Sequence, residues 1–199
     1  MDFYDGKDYI SDMDCDKEGR HLLCTSGDGI LSVYDLRKKQ LLQQSDQLDE
    51  ELLSVSVMKN GNKVVCGSSS GTLNIYSWGE WGDVSDRIPT NHESIEAICK
   101  VTEDIVCTGS DDGKINALFI KPHRAIGVLG SHSSYSIDNL RLSRDGKMVA
   151  SCSGDGMVKF WDVSNLHEET IEPIQQKKGH RKRKLDETSK SADDFFADL

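Results

Sequence analysis

Short runs of alternating hydrophobic and polar residues fill most of the chain, and glycine-containing turns separate them. Alternation with a period of two is typical of β-strands that bury one face. In the first stretch it predicts four strands, over Tyr9–Cys15, His21–Thr25, Ile30–Asp35 and Lys39–Ser45. Tight turns between such strands favour antiparallel hairpins, so the pattern predicts an all-β fold.

The four-strand pattern recurs at a nearly fixed spacing. Each unit contains a Ser-Gly or Asp-Gly turn whose glycine serves as an anchor, and successive anchors lie 42, 42 and 43 residues apart: Gly29, Gly71, Gly113 and Gly156. Apolar residues stand sixteen and fourteen residues before each anchor: Met13 and Cys15, Val55 and Val57, Ala97 and Cys99, Leu140 and Leu142. Four-stranded antiparallel units repeated about every 40–45 residues are typical of β-propeller blades.

The sequence therefore predicts an all-β protein with four propeller blades within residues 1–175, over about 9–45, 51–90, 94–130 and 136–175, and a tail over 176–199. In the third strand of a unit, neighbouring residues such as Val33 and Tyr34 are both apolar, as expected when both faces of a blade pack on other blades. The alternative is a β-sandwich with a coincidental period. Four units in one register argue against it.

The end of the third strand resembles the WD-repeat family. The closing dipeptides are Tyr34-Asp35, Tyr76-Ser77, Leu118-Phe119 and Trp161-Asp162, so the fourth repeat has the literal Trp-Asp ending. That repeat is also similar to the family's hydrogen-bonded tetrad, which the resemblance places at His132, Ser151, Asp155 and Trp161. A buried polar chain of this kind ties loop, strand and turn together while each member keeps a partner.

The other repeats carry this tetrad only in part. The third keeps His92, Thr108 and Asp112 but has Leu118 at the tryptophan position. The first and second lack the loop histidine and have cysteine in place of the strand hydroxyl. His, Ser and Asp are also the residue types of a hydrolase triad, but their repeat positions favour a structural role, and no catalytic residue is predicted.

Three segments resemble one branch of that family, the WD repeat-containing protein 55 family. They are the stretch 67–78, the Ser85-Asp86-Arg87 loop, and an Asp193-Asp194-Phe195-Phe196-Ala197 ending that follows a basic linker. The resemblance implies a nucleolar protein without known enzymatic activity that acts in ribosomal RNA processing and cell-cycle progression. It implies protein partners, among them pre-ribosomal assembly factors, and no cofactor.

A second function stays open, because many WD-repeat proteins are substrate adaptors of ubiquitin ligases or chromatin complexes. The fold does not separate the two, since propellers carry many functions. The resemblance also implies a ring of about seven blades, of which four are recognisable here. We therefore expect an N-terminally truncated version of such a ring, whose first blade exposes an apolar face to water.

The distribution of charge indicates which partners to expect. The chain has 24 Lys and Arg against 34 Asp and Glu, a net charge of −10. Residues 177–199 contribute +2 and the preceding residues −12, so the acidic propeller would repel a phosphate backbone and is not expected to bind RNA directly. No apolar run reaches the roughly 20 residues that a membrane-spanning helix needs, and the acidic N-terminus argues against a secretory signal.

Neither a metal site nor a disulfide framework is predicted. The six cysteines lack Cys-x-x-Cys or Cys/His ligand spacing, and their repeat positions indicate small core residues with reduced thiols. Asp12 and Asp14 open a stretch similar to an EF-hand loop, but Lys17 stands where that loop requires glycine and Leu23 where it requires glutamate. We expect the two aspartates to form a solvated acidic rim on the innermost strand of a blade.

The tail carries two candidate functional segments. The first is a basic run typical of a nuclear localisation signal, with a solvated linker as the alternative: Lys177, Lys178, Arg181, Lys182, Arg183 and Lys184. The second is an acidic segment with an aromatic pair, which predicts a docking motif for a protein partner: Asp193, Asp194, Phe195 and Phe196. Its alternative is packing back onto the propeller. The basic run predicts a nuclear location, and the family resemblance a nucleolar one.

Overall fold

The computed structural model describes residues 7–169, which form four antiparallel β-sheets in sequence order. The first blade consists of β1 (Ile10–Cys15), β2 (His21–Ser26), β3 (Leu31–Asp35) and β4 (Gln40–Gln44). Each of these bounds lies within one residue of the predicted one. Local alternation and turn residues were sufficient to place the strands, because hairpin pairing depends on contacts between neighbouring segments.

The second and third blades are also four-stranded. The second contains β5 (Leu52–Met58), β6 (Lys63–Ser68), β7 (Thr72–Ser77) and β8 (Asp86–Pro89). The third contains β9 (Ala97–Lys100), β10 (Ile105–Gly109), β11 (Lys114–Phe119) and β12 (Arg124–Ser131). A short 3-10 helix, Lys59–Gly61, joins β5 to β6.

The fourth blade has three strands within the described residues: β13 (Ile137–Leu142), β14 (Met148–Ser153) and β15 (Val158–Asp162). A second 3-10 helix, Ser164–His167, follows β15. The part of the predicted fourth blade beyond residue 169 lies outside the described residues.

The strands of every blade are hydrogen-bonded to one another in sequence order. The first strand of each blade is innermost, and successive innermost strands lie against one another: β1 against β5, β5 against β9, and β9 against β13. Residues of these four innermost strands line a central cavity of about 330 Å³. The predicted all-β propeller with four blades is confirmed.

The apolar core is divided into three clusters, one at each junction between adjacent blades. At the first junction, Leu23 and Val33 of the first blade pack with Val55 and Val64 of the second. Buried residues at the other two junctions include Ile75, Val106 and Leu118, and then Phe119, Leu140 and Val149. Because burying one such aliphatic or aromatic side chain contributes about 1.5–3 kcal/mol, each blade is stabilised mainly by its neighbours.

The anchor glycines adopt a left-handed backbone in the turns between the second and third strands. Gly71 has a φ of +73° and Gly156 a φ of +75°, a region that glycine enters without steric cost. Gly71 also has no room for a side chain, because a Cβ atom there would lie 1.8 Å from the carbonyl oxygen of His92. No described atom lies within 4 Å of the corresponding point at Gly156.

Large exposed apolar side chains lie mainly on the first and fourth blades, and those of the first blade are Tyr9, Ile10, Met13 and Leu42. All five residues of β3 are buried, Tyr34 at 3% exposure among them. Exposure in the first blade is confined mainly to its inner and outer strands, with Met13 60% exposed. On the fourth blade, Val158 and Phe160 are 61% and 66% exposed on the face turned away from the third blade. The apolar pattern of a strand does not show whether another element packs on it, so the sequence could not predict which strand faces are exposed to solvent.

Candidate functional site

The fourth repeat brings its four tetrad residues together at the junction of the third and fourth blades. His132 precedes β13, and its Nδ1 lies 2.8 Å from Asp155 Oδ2 in the β14–β15 turn. Its Nε2 lies 2.7 Å from Ser151 Oγ, and Trp161 Nε1 donates to the same oxygen at 2.8 Å. The hydrogen bonds therefore run as one chain, from the indole N–H to Ser151, from the serine O–H to His132, and from the imidazole N–H to Asp155.

Burial determines what this network can do. His132 is 0% exposed and Ser151 1% exposed, and the serine oxygen is held from two sides. A nucleophile must reach its substrate, so this arrangement fixes the loop, strand and turn in place and is unsuited to acyl transfer. Burial opposes the ionisation of Asp155, but hydrogen bonds from the Met157 backbone N–H and from His132 hold its pKa below the ordinary value.

The third repeat forms a different network from the one its residues predict. His92 Nδ1 lies 3.2 Å from Asp112 Oδ2, as in the fourth repeat. Its Nε2, however, accepts a hydrogen bond from Asn116 Nδ2 at 2.5 Å. The repeat pattern predicts Thr108 as the partner of this nitrogen. Thr108 Oγ1 is buried and has no hydrogen-bond partner among the described residues. The structure thus joins His92 to Asp112 and leaves Thr108 outside the network.

The second repeat contains a residue that the sequence pattern did not single out. Glu50 lies 21 residues before its anchor glycine, as His92 does in the third repeat. Its carboxylate accepts from Asn74 Nδ2 at 2.9 Å and from Ser68 Oγ at 3.0 Å, and it also bonds Ser70. Burial opposes the ionisation of Glu50, but the hydrogen bonds from Ser70, Asn74 and Ser68 outweigh it and lower the pKa. The 42-residue spacing was the signal that could have identified Glu50 as the counterpart of the histidine.

The two aspartates expected on an acidic rim line the central cavity, but they also join neighbouring blades. Asp12 Oδ2 accepts the backbone N–H of Val55 at 3.0 Å, and Asp14 Oδ2 accepts that of Val57 at 2.8 Å. Backbone N–H groups on the free edge of an innermost strand need partners, since the next strand belongs to another sheet. The carboxylates supply those partners, so β1 is tied to β5 by side chains.

Glu103 connects three blades at a position where the other repeats have a turn glycine. Its carboxylate lies 2.8 Å from Lys17 Nζ and 3.1 Å from Lys100 Nζ, and it accepts the Asn60 backbone N–H at 2.7 Å. Burial opposes the ionisation of Glu103, but hydrogen bonds from Lys17, Asn60 and Lys100 lower its pKa to about 2. The departure from the glycine pattern therefore creates a charged junction.

All six cysteines are free thiols. Burial raises the pKa of Cys24 and that of Cys99 to about 11, so both remain protonated near neutral pH. Cys15 is exposed, so its assignment to the core was wrong. Its neighbour Asp14 faces the second blade, and alternation along β1 turns Cys15 to the opposite side.

The remaining predicted site residues, the basic run and the acidic-aromatic segment within 177–199, lie outside the described residues. Within residues 7–169, no group of three or more His, Cys, Asp or Glu side chains could hold a metal ion. Over that same range, no helix has the length and apolar character needed to cross a membrane.

Four-stranded blades, the repeat of 42 or 43 residues, and the His-Ser-Asp-Trp network together define a WD-repeat β-propeller. Propellers of this class typically mediate protein–protein interactions. The sequence profile of the WDR55 family matches residues 1–166, and the chain belongs to that family.

Curated relatives agree with this assignment. WD repeat-containing protein 55 from Pongo abelii is 40% identical over 201 residues, covering 100% of this chain and 52% of the relative. The protein of the same name from Arabidopsis thaliana is 44% identical over 163 residues, covering 81% and 46%. WD repeat-containing protein JIP5 from Cryptococcus neoformans is 40% identical over 168 residues, covering 83% and 45%. The chain thus spans about half the length of the curated relatives that it matches.

A solved structure supports the architecture independently. The crystal structure of the computationally designed Ika4 protein matches with a TM-score of 0.65 and 24% identity, covering 79% of this chain and 92% of that chain. At this identity the likeness concerns the fold alone.

Proposed function

We propose that this chain is a non-enzymatic scaffold that binds proteins in the nucleolus and acts in ribosomal RNA processing. The observation that carries the proposal is the match to the WDR55 family over residues 1–166. The polar networks at the blade junctions support the non-enzymatic part, because their carboxylates, hydroxyls and imidazoles bond to one another or to the backbone. Such a propeller acts through its surfaces and its tail.

Charge supports proteins over RNA as the direct partners. The residues before the tail carry a net charge of −12, which disfavours a phosphate backbone at long range. The basic run over 177–184 serves nuclear import in this proposal, and the partners are pre-ribosomal assembly factors. Phe195 and Phe196 supply apolar contact area to such a partner, and the neighbouring Asp193 and Asp194 favour a basic groove on it.

Affinity purification of the tagged full chain from cells, with and without RNase, tests this function. We expect precursor ribosomal particles and their assembly factors in the eluate, and we expect the protein partners to persist after RNase. Recovery of a ubiquitin ligase or a chromatin complex without ribosomal precursors would replace the proposal with the adaptor function. Loss of all partners after RNase would instead show that the link runs through RNA.

The docking role of the tail is tested by the double variant Phe195→Ala, Phe196→Ala in the same purification. We expect recovery of the partners to fall at least fivefold while the thermal unfolding curve of the protein stays unchanged. Phe160→Ala, which removes an exposed phenylalanine from the fourth blade, is the matched control and should leave recovery unchanged. Equal recovery with the wild-type chain and the double variant would rule out this docking segment.

A further inference from the structure

A cavity of about 420 Å³ opens between the second and third blades. It is bounded on one side by the end of β8 and the loop after it, and on the other by β11 and β12. Its volume falls within the range of about 300–1,000 Å³ that is usual for small-ligand sites. Apolar walls come from Ile88 and Leu118, and polar groups from His92, Thr108 and Asn116.

The repeat explains why this space exists. Leu118 lies five residues after its anchor glycine, and the same position in the other repeats holds an aromatic residue: Tyr34, Tyr76 and Trp161. At the junction of the third and fourth blades, the Trp161 ring packs so closely on β12 that a Cβ atom at Gly130 would lie 1.9 Å from it. At the junction of the second and third blades no such ring is present, and the cavity is lined by the residue that replaces it.

A buried hydroxyl in this cavity has no partner. Thr108 is the counterpart of Ser151, five residues before the anchor glycine, and it is 1% exposed. Ser151 Oγ accepts the indole N–H of Trp161 at 2.8 Å, whereas Thr108 Oγ1 has no hydrogen-bond partner among residues 7–169. Buried polar groups are rarely left unpaired, so an unpaired hydroxyl on a residue that lines this cavity points to a ligand that completes it.

We propose that this cavity binds an indole ring supplied from outside the chain. The ring lies between β8 and β11, against Ile88 and Leu118, and its N–H donates to Thr108 Oγ1 as Trp161 donates to Ser151. The third repeat thereby obtains in trans the ring that the fourth repeat carries in its own strand. The indole belongs either to a tryptophan side chain of a partner protein or to a small free aromatic compound.

The test titrates the isotopically labelled full chain with indole and with indene, which has the same shape and no N–H donor. We expect saturable shifts of the Thr108, Asn116 and Ala117 amide signals, and about fivefold tighter binding of indole than of indene, since one hydrogen bond separates the two probes. Absence of saturable binding, or equal affinity for both probes, overturns the proposal.

Two variants and a control locate the site. Leu118→Trp supplies the ring from within and should abolish binding, while Leu42→Trp, at an exposed position of the first blade, should leave it unchanged. Thr108→Val keeps the shape of the cavity and should remove the preference for indole over indene. Because Leu118→Trp could fail to fold, the Thr108→Val comparison decides in that case. Indole binding that persists in folded Leu118→Trp protein refutes the assignment.

The source of the ring is decided with a capped pentapeptide in which alanines flank one tryptophan. Binding at least as tight as that of free indole supports a tryptophan side chain of a partner. Binding of free indole with exclusion of the peptide supports a small aromatic ligand at the same site. A peptide in which phenylalanine replaces the tryptophan is the control, and it should bind at least fivefold more weakly than the tryptophan peptide.

Discussion

At the scale of single residues, equivalent positions in the repeats hold different polar side chains that do related work. Glu50 and His92 both stand 21 residues before their anchor glycine, and both receive a hydrogen bond from an asparagine amide, Asn74 and Asn116. Ser151 and Thr108 occupy one repeat position, yet only the serine is bonded on two sides. The identity of a residue therefore does not fix its partners, because a shift in one neighbour redirects the next hydrogen bond.

Ser151→Ala should destabilise the protein by about 2–4 kcal/mol, because it leaves the buried His132 Nε2 and the Trp161 N–H without partners. Urea unfolding followed by circular dichroism measures the change. Thr108→Val is the matched control at the same repeat position, and since it removes a hydroxyl without a described partner, it should change stability by less than about 0.5 kcal/mol or raise it. Equal losses in the two variants would contradict the difference drawn between them.

Glu103→Gln should cost about 1 kcal/mol at pH 7, because its carboxylate is held by two lysines and a backbone N–H. The folded pKa of about 2 lies below the unfolded value, so the carboxylate contributes stability above the unfolded pKa and loses it as the pH falls toward 2. The difference between wild type and variant should therefore shrink steadily between about pH 5 and pH 2.

Unfolding free energies measured across this pH range decide the Glu103 prediction. Glu18→Gln, at an exposed position of the β1–β2 turn, removes the same charge and serves as the control. It should show a much smaller difference at pH 7. A difference for Glu103→Gln that stays constant from pH 7 to pH 2 would disprove the role of its ionised form.

At the scale of elements, each blade is a set of hairpins whose turns are fixed locally and whose faces are fixed by other blades. The alternation of apolar residues located the strands of the first blade to within one residue. It also predicted that the third strand is apolar on both faces, and β3 is buried throughout. The same alternation could not show that the outward face of β15 is exposed, since exposure depends on whether another element covers it.

Gly71→Ala should destabilise the protein by about 3 kcal/mol or more, for two reasons. The new Cβ would clash with the His92 carbonyl oxygen, and alanine is strained at a left-handed φ. Gly156→Ala has nearly the same φ but no described neighbour within 4 Å, so it should cost about 1–2 kcal/mol. Thermal unfolding of both variants measures the steric part as the difference between them. The prediction fails if Gly156→Ala is the more destabilising variant.

At the scale of the whole molecule, charge separates the acidic propeller from a tail with a basic run. The chain also spans about half the length of its curated relatives. Val158 and Phe160 expose apolar surface on the fourth blade. Location in the cell is the property that the charge pattern predicts most directly.

Replacement of Lys182, Arg183 and Lys184 by glutamine should move the protein from the nucleus to the cytoplasm, because import depends on the density of positive charge in this run. Imaging of the fluorescently tagged full chain measures the nuclear fraction, which we expect to fall at least threefold. Glutamine at Arg37, Lys38 and Lys39, in the exposed β3–β4 turn, removes the same charge and should leave the fraction unchanged. Nuclear accumulation of the first variant would exclude the run as the import element.

The repeat, the strands and the class of fold could be predicted from the residues alone, because they follow from short-range alternation, turn glycines and a period of 42 or 43 residues. The resemblance to the WD-repeat family identified the four tetrad residues of the fourth repeat, which the structure joins by hydrogen bonds. The folded structure was needed to show that Glu103 and the inner aspartates bond to other blades, and that Glu50 bonds to two strands of the second blade. It alone revealed the cavity beside Leu118. Contacts across a blade junction join residues about 42 positions apart. They depend on how two blades pack against each other, which a local pattern of residues does not determine.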